Sequence, residues 1–255
     1  MRRQHFRLDA VSTYLQHAAP RGALDALLEP ERIVFCCQSR LLAAVWVRAQ
    51  RGRYQGESVM PENLLGSCTT LKEALEICRS GEPTLLISTQ LLEQGSGLDL
   101  IAQAKALRPE LRTLLFLQHS HRALLEEAIK THSDGLVLES EVGSGHVMAA
   151  LRTVSRGGMY LDPTIAKALH GSREGLDPGL SRRELEVMHH VASGLIDREI
   201  GDCLNLATDT VKHHLKQVYQ KLNVHSRTRA AISLVLMGLI EPPHPLLPDS
   251  ASGAA

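Results

Sequence analysis

Apolar and polar positions fall into two regimes along the chain. From Arg32 to Arg156, short apolar runs alternate with segments of helical period: Ile33-Val34-Phe35 then Leu41 to Gln50, Leu64-Leu65 then Leu71 to Arg79, and Leu85-Leu86-Ile87 then Leu98 to Leu107. Leu114 to Leu117 then Ala123 to His132, and Leu136-Val137-Leu138 then His146 to Arg156, continue the alternation. An apolar run followed by a helix is what a strand covered on both faces requires, with right-handed crossovers between parallel neighbours. The pattern predicts a doubly wound α/β fold on a parallel five-stranded sheet. Chemistry in such sheets gathers at the C-terminal strand ends, which lie after Phe35, Ser88, Leu117 and Leu138. Ahead of the sheet, Leu8, Val11 and Leu15, then Leu24, Leu27 and Leu28, keep helical spacing on either side of Pro20 and Gly22. That segment reads as two short helices or one broken one.

The second regime is purely helical. It follows a Gly-rich polar stretch, His170 to Gly179, that has no hydrophobic period and reads as a linker. Ser181-Arg182-Arg183-Glu184 is a capping box, and Leu185, Met188, Val191 and Ala192 continue one apolar stripe until Ser193-Gly194. Asp197 opens a second helix with Ile200 and Leu204, and Leu206 to Asp209 turns the chain into a third, whose inner face is Val211, Leu215, Val218 and Leu222. Two short helices joined by a tight turn predict helix-turn-helix geometry. Lys212, His213, Lys216, Gln217 and Gln220 then occupy the outer face, where such groups reach phosphates and base edges. The expected layout is a helical extension over 1–30, the α/β domain over 31–169, a linker over 170–179, an all-α four-helix domain over 180–241 and a disordered tail over 242–255.

Composition narrows the function. The 255 residues suffice for two domains at roughly 100–200 residues each. No apolar stretch reaches the roughly 18 residues of a membrane span or forms a signal peptide, so a cytoplasmic protein is expected. Lys plus Arg and Asp plus Glu are each 28, so DNA affinity would have to come from a local patch. Between 180 and 240, Arg182, Arg183, Arg198, Lys212, Lys216, Lys221, Arg227 and Arg229 outnumber the acids. The five cysteines, Cys36, Cys37, Cys68, Cys78 and Cys203, have no zinc-finger spacing, so no metal or other cofactor is expected. With no acid/base pair, phosphate loop or partnered nucleophile, no enzyme activity is expected either.

At this point the C-terminal residues resemble a known family. Leu180 to Glu184, Ala192-Ser193-Gly194, Arg198-Glu199-Ile200, Thr210 to Leu215 and Lys221 to Arg227 are similar, in order and spacing, to the LuxR/FixJ (NarL-type) transcription-factor signature. The resemblance implies a recognition helix from about Thr208 to Leu222, with Lys212, His213, Lys216 and Gln217 toward double-stranded DNA. It also implies that Thr210, and the pair Ser226 and Arg227, lie near phosphates, with Thr208 among the DNA-binding residues. A fourth helix, Arg229 to Ile240, would make a homodimer through Leu234, Leu236 and Leu239. Ala207 departs from the family's usual serine cap, and Thr208 is expected to cap one residue later.

The segment from Arg32 to Leu169, with Gly95 to Leu100, Ser133-Asp134-Gly135 and Ala150 to Leu161, resembles a response-regulator receiver. That resemblance implies Mg²⁺-assisted transfer of a phosphoryl group to an Asp, but the places of the acids, acceptor, hydroxyl and lysine read Cys36-Cys37, Thr89, Gln118 and Glu139. Thiols and a threonine cannot replace carboxylates around a hard cation. The expectation is a pseudo-receiver that serves dimerisation or partner, ligand or redox sensing without aspartyl phosphorylation, with RNA polymerase or a regulatory protein as a further partner. The competing reading is an interaction adaptor whose helix-turn-helix no longer binds DNA.

Overall fold

A computed structural model describes residues 27–51, 63–142, 145–170 and 177–240, with side chains omitted for 48–51. Most of the expected 1–30 extension, the centre of the linker and the 242–255 tail lie outside the described residues. Strands β1 (Ile33–Cys36), β2 (Leu64–Cys68), β3 (Leu85–Thr89), β4 (Arg112–Leu117), β5 (Gly135–Leu138) and β6 (Tyr160–Leu161) form one parallel sheet in the order β2-β1-β3-β4-β5-β6. The doubly wound parallel fold is as expected, but the sheet is one strand larger. Its sixth strand has two residues, too short for a periodicity signal, and pairs Gly135 with Tyr160 and Leu136 with Leu161.

Alternation along each strand divides the core between the two sheet faces. Ile33, Phe35 and Cys37 point to the side covered by helices α1 (Arg40–Arg51) and α5 (His146–Ser155), joined by Leu85, Ile87, Leu114 and Val137. Phe35 stacks on Trp46 with ring centroids 4.6 Å apart. Val34 and Cys36 point to the side of α2 (Leu71–Ser80), α3 (Gly97–Leu107) and α4 (Arg122–Lys130). The second apolar core does not stop at the domain edge. It runs on through helix α6 (Pro163–Leu169) into Val187, Met188, Val191 and the inner faces of the C-terminal helices.

Helix α6 stands where the sequence pattern leaves only the approach to the linker. Asp162 caps it by accepting from the Thr164 N–H at 2.9 Å, and Pro163 occupies its first position, where a missing N–H costs nothing. The four C-terminal helices are α7 (Arg182–Ala192), α8 (Asp197–Leu204), α9 (Thr208–Leu222) and α10 (Arg227–Leu236). Helix α10 is shorter than expected and ends ahead of Gly238, whose φ of 71° breaks the helical path.

Candidate nucleic-acid interface

The capping box forms as the sequence requires: Ser181 Oγ accepts from the Glu184 N–H at 3.2 Å, and Glu184 accepts from the Ser181 N–H at 2.6 Å. The same carboxylate, only 2% exposed, takes Lys221 Nζ at 2.6 Å and so ties α7 to the end of α9. Burial would push the Glu184 carboxyl up, yet Lys221 and Ser181 together bring it below its usual range. Helix α7 closes at Gly194 with φ 83°, and α8 at the left-handed Asn205 with φ 52°. Arg183 Nη2 donates to the Leu204 carbonyl at 2.7 Å, which satisfies an end of α8 from α7.

Helix α9 seats Val211, Leu215 and Val218 inward and leaves Asp209, Thr210, Lys212, His213, Lys216, Gln217 and Gln220 exposed. Among the described residues, nothing covers this continuous row. Lys212 reaches only Asp209 of its own helix among the described residues, at 3.3 Å, and His213 Nε2 meets Gln217 Nε2 at 3.0 Å. Ala207 is the N-cap and offers no side-chain bond. Thr208 is the first helical residue, not the replacement cap, because its backbone has already entered the helix.

Two further groups of expected site residues are engaged within the chain. Arg227 is 17% exposed and turned inward, where its guanidinium bonds Asp197 and the Leu195 carbonyl, so a helix start, not an open phosphate ligand, is its immediate setting. Ser226 caps α10 by accepting from the Arg229 N–H at 3.2 Å. Leu234 and Leu236 are 0% and 6% exposed within the chain and Leu239 is half-buried, because α10 packs on α7 and α9 and on α6 of the α/β domain. The surplus of apolar side chains that pointed to a dimer is largely consumed inside one molecule.

At the strand ends Cys36 and Cys37 are both fully buried, and they face opposite sides of the sheet. Cys36 lies directly across from Cys68 on the neighbouring strand, not toward Cys37. The neighbouring Cys68 thiol and burial push the Cys36 thiol up, burial does the same to Cys37, and Cys78 is pushed up to about 11. A reactive pair needs lowered values, so this setting suits two buried structural thiols better than a vicinal redox pair. Thr89 Oγ1 donates to the Leu91 carbonyl at 2.7 Å, and the Gln118 N–H donates to the Gln90 side chain at 3.0 Å. Glu139 is raised by burial while Gln118 opposes the shift. Nearby acids are engaged: Glu73 closes the Thr70 cap, and Glu93 holds Arg40 at 2.8 Å and Thr69 at 2.6 Å.

The GerE family, described as bacterial regulatory proteins of the luxR family, matches residues 178–234. Residues 178–234 thus form a LuxR-type DNA-binding regulatory domain. The Bacillus subtilis transcriptional regulatory protein LnrK is 28% identical to it over 182 residues, 66% of this chain and 82% of LnrK. The Mycobacterium tuberculosis activator DevR/DosR is 26% identical over 187 residues, 71% of this chain and 86% of the relative. A structure of the Salmonella typhimurium RcsB response regulator covers 79% of this chain and 98% of its own, at 20% identity and TM-score 0.43. The luxR-family match contains the whole of α8 and α9, so the exposed row on α9 belongs to the LuxR-type module. Among the described residues, no helix is long and apolar enough to cross a membrane.

Proposed function

We propose that this protein is a sequence-specific DNA-binding transcription regulator that works without aspartyl phosphorylation, its receiver-like domain acting as a scaffold that positions the LuxR-type domain. The uncovered row of Lys212, His213, Lys216 and Gln217 along one face of α9 carries the reading. A helix of this width enters the major groove, where lysine reaches phosphate or guanine edges and histidine reaches base edges. Homodimeric binding to two half-sites about one helical turn apart fits this docking mode. The scaffold role is supported by the residue types at the strand ends, where thiols, Thr89, Gln118 and Glu139 stand in place of a carboxylate cage.

Two measurements test it. Incubation with acetyl phosphate and Mg²⁺ is expected to give no aspartyl phosphate and no gain in DNA affinity; a phosphorylated residue mapped to the strand ends would refute phosphorylation independence. Titration of operator and scrambled duplexes is expected to show Lys216→Ala weakening both and His213→Ala costing roughly 1–3 kcal/mol on operator alone. Unchanged operator affinity in both variants would favour the adaptor reading.

A further inference from the structure

A cleft of about 460 Å³ opens where the two domains meet, bounded by Arg156 at the end of α5, Asp197 and Arg198 at the start of α8, Leu215 and Tyr219 on α9, and Arg227 at the start of α10. Three guanidinium groups converge on it. Asp197 neutralises Arg227, and Glu199, just outside, pairs with Arg156. Arg198 is exposed and takes part in no ion pair among the described residues, so the cleft keeps a positive excess. Arg156 is itself 55% exposed despite its pair, and Arg227 Nε has no hydrogen-bond acceptor among the described residues.

The position of the cleft says what it faces. Leu215 lies three residues beyond Lys212, and Tyr219 three beyond Lys216, so cleft wall and basic row are adjacent strips of one helix surface. A helix whose face lies in a major groove about 12 Å wide has a sugar-phosphate strand along each flank. Guanidinium groups match phosphate oxygens better than any other side chain. We propose that a backbone phosphate of double-stranded DNA seats at this cleft, held by Arg198 and by Arg156, so that the α/β domain contributes a DNA contact of its own.

The inference rests on α9 being the recognition helix, and the experiment separates the two. Affinity of the full chain for a random-sequence duplex is measured across a salt series for wild type, Arg156→Ala, Arg156→Lys, Arg198→Ala, Glu199→Gln and Lys216→Ala. Losing one phosphate contact lowers the log-log salt slope by about 0.9. That fall is expected for Arg156→Ala, Arg198→Ala and Lys216→Ala, while Arg156→Lys retains the wild-type slope. Glu199→Gln removes the ion pair but keeps the guanidinium, so its slope stays at or above wild type. A lowered slope for Lys216→Ala with none for Arg156→Ala overturns the shared contact and leaves the reading of α9 intact. An equal loss in Glu199→Gln and Arg156→Ala overturns it too, since Arg156 would then act by holding the domains together. No change in any variant sinks the α9 reading along with it.

Discussion

Individual side chains divide by whether their partners are near or far in sequence. The reciprocal bonds of Ser181 and Glu184, three residues apart, are legible in the chain because a capping box is a local pattern. Lys221 reads as one more basic residue of a DNA-facing helix, yet its counterion is the same Glu184, 37 positions earlier. Arg227 likewise finds its counterion at a distance, with Asp197 30 positions away. No local rule announces such pairs. Lys221→Met should leave the Glu184 carboxylate buried without its cation and cost about 1–3 kcal/mol, below the fully buried case because the lysine is 35% exposed. The pH dependence has a definite sign: a carboxyl held below its ordinary value of 4.5 stabilises the fold above that pH, and the contribution disappears as pH falls through the lowered value. Urea unfolding of both proteins from neutral to acid pH should show their gap closing at the acid end. A gap that is constant with pH would mean the pair contributes nothing.

At the scale of elements, the strongest periodicities were the most readable. The first five strands and their helices, and α9 from Thr208 to Leu222, stand where apolar spacing puts them. What escaped were elements shaped by their surroundings. Strand β6 is a two-residue edge strand held by its pairing with β5, and α6 is a single short helix whose Asp162-Pro163 start is a cap signal without a long period behind it. Helix α10 shows the converse, since its apolar content was visible but not its destination. Ile232, Leu234 and Val235 fill the space between α7, α9 and α6. Leu234→Ala should therefore destabilise the chain by roughly 2–5 kcal/mol, the range for a buried leucine truncation, without changing the assembly mass at native conditions. Urea denaturation beside sedimentation measures both. A fall in mass with stability unaltered would restore the intermolecular role for Leu234.

For the whole molecule, the junction between domains is the feature the sequence hides most completely, because a polar linker suggests independence. The domains instead meet closely: a Cβ at Gly158 would lie 2.4 Å from the Gly194 carbonyl oxygen, and Arg156 crosses to Glu199. The third crossing is His132, whose Nδ1 lies 3.4 Å from Ser226 Oγ and whose Nε2 lies 3.5 Å from Arg229 Nη1. A guanidinium only donates, so Nε2 must accept and Nδ1–H must donate to the serine, an arrangement open only to the neutral ring. Burial, then Arg229, Lys105 and His225, hold its pKa below the ordinary 6.5, while Asp134, itself 2.6 Å from Lys105, pulls weakly the other way. A base with a lowered value supports the docked form above 6.5 and loses that support as pH falls through the lowered value, where an added N–H would face the Arg229 guanidinium. The domains should accordingly separate as pH drops from about 8 to about 5.5, seen as a rise in radius of gyration by X-ray scattering. His132→Asn is the informative variant: asparagine tolerates the left-handed backbone at φ 62°, and its amide offers a donor and an acceptor but does not titrate. Its scattering curve should stay flat over that range. If wild type and His132→Asn expand together, the acid response arises elsewhere and His132 is only a packing residue.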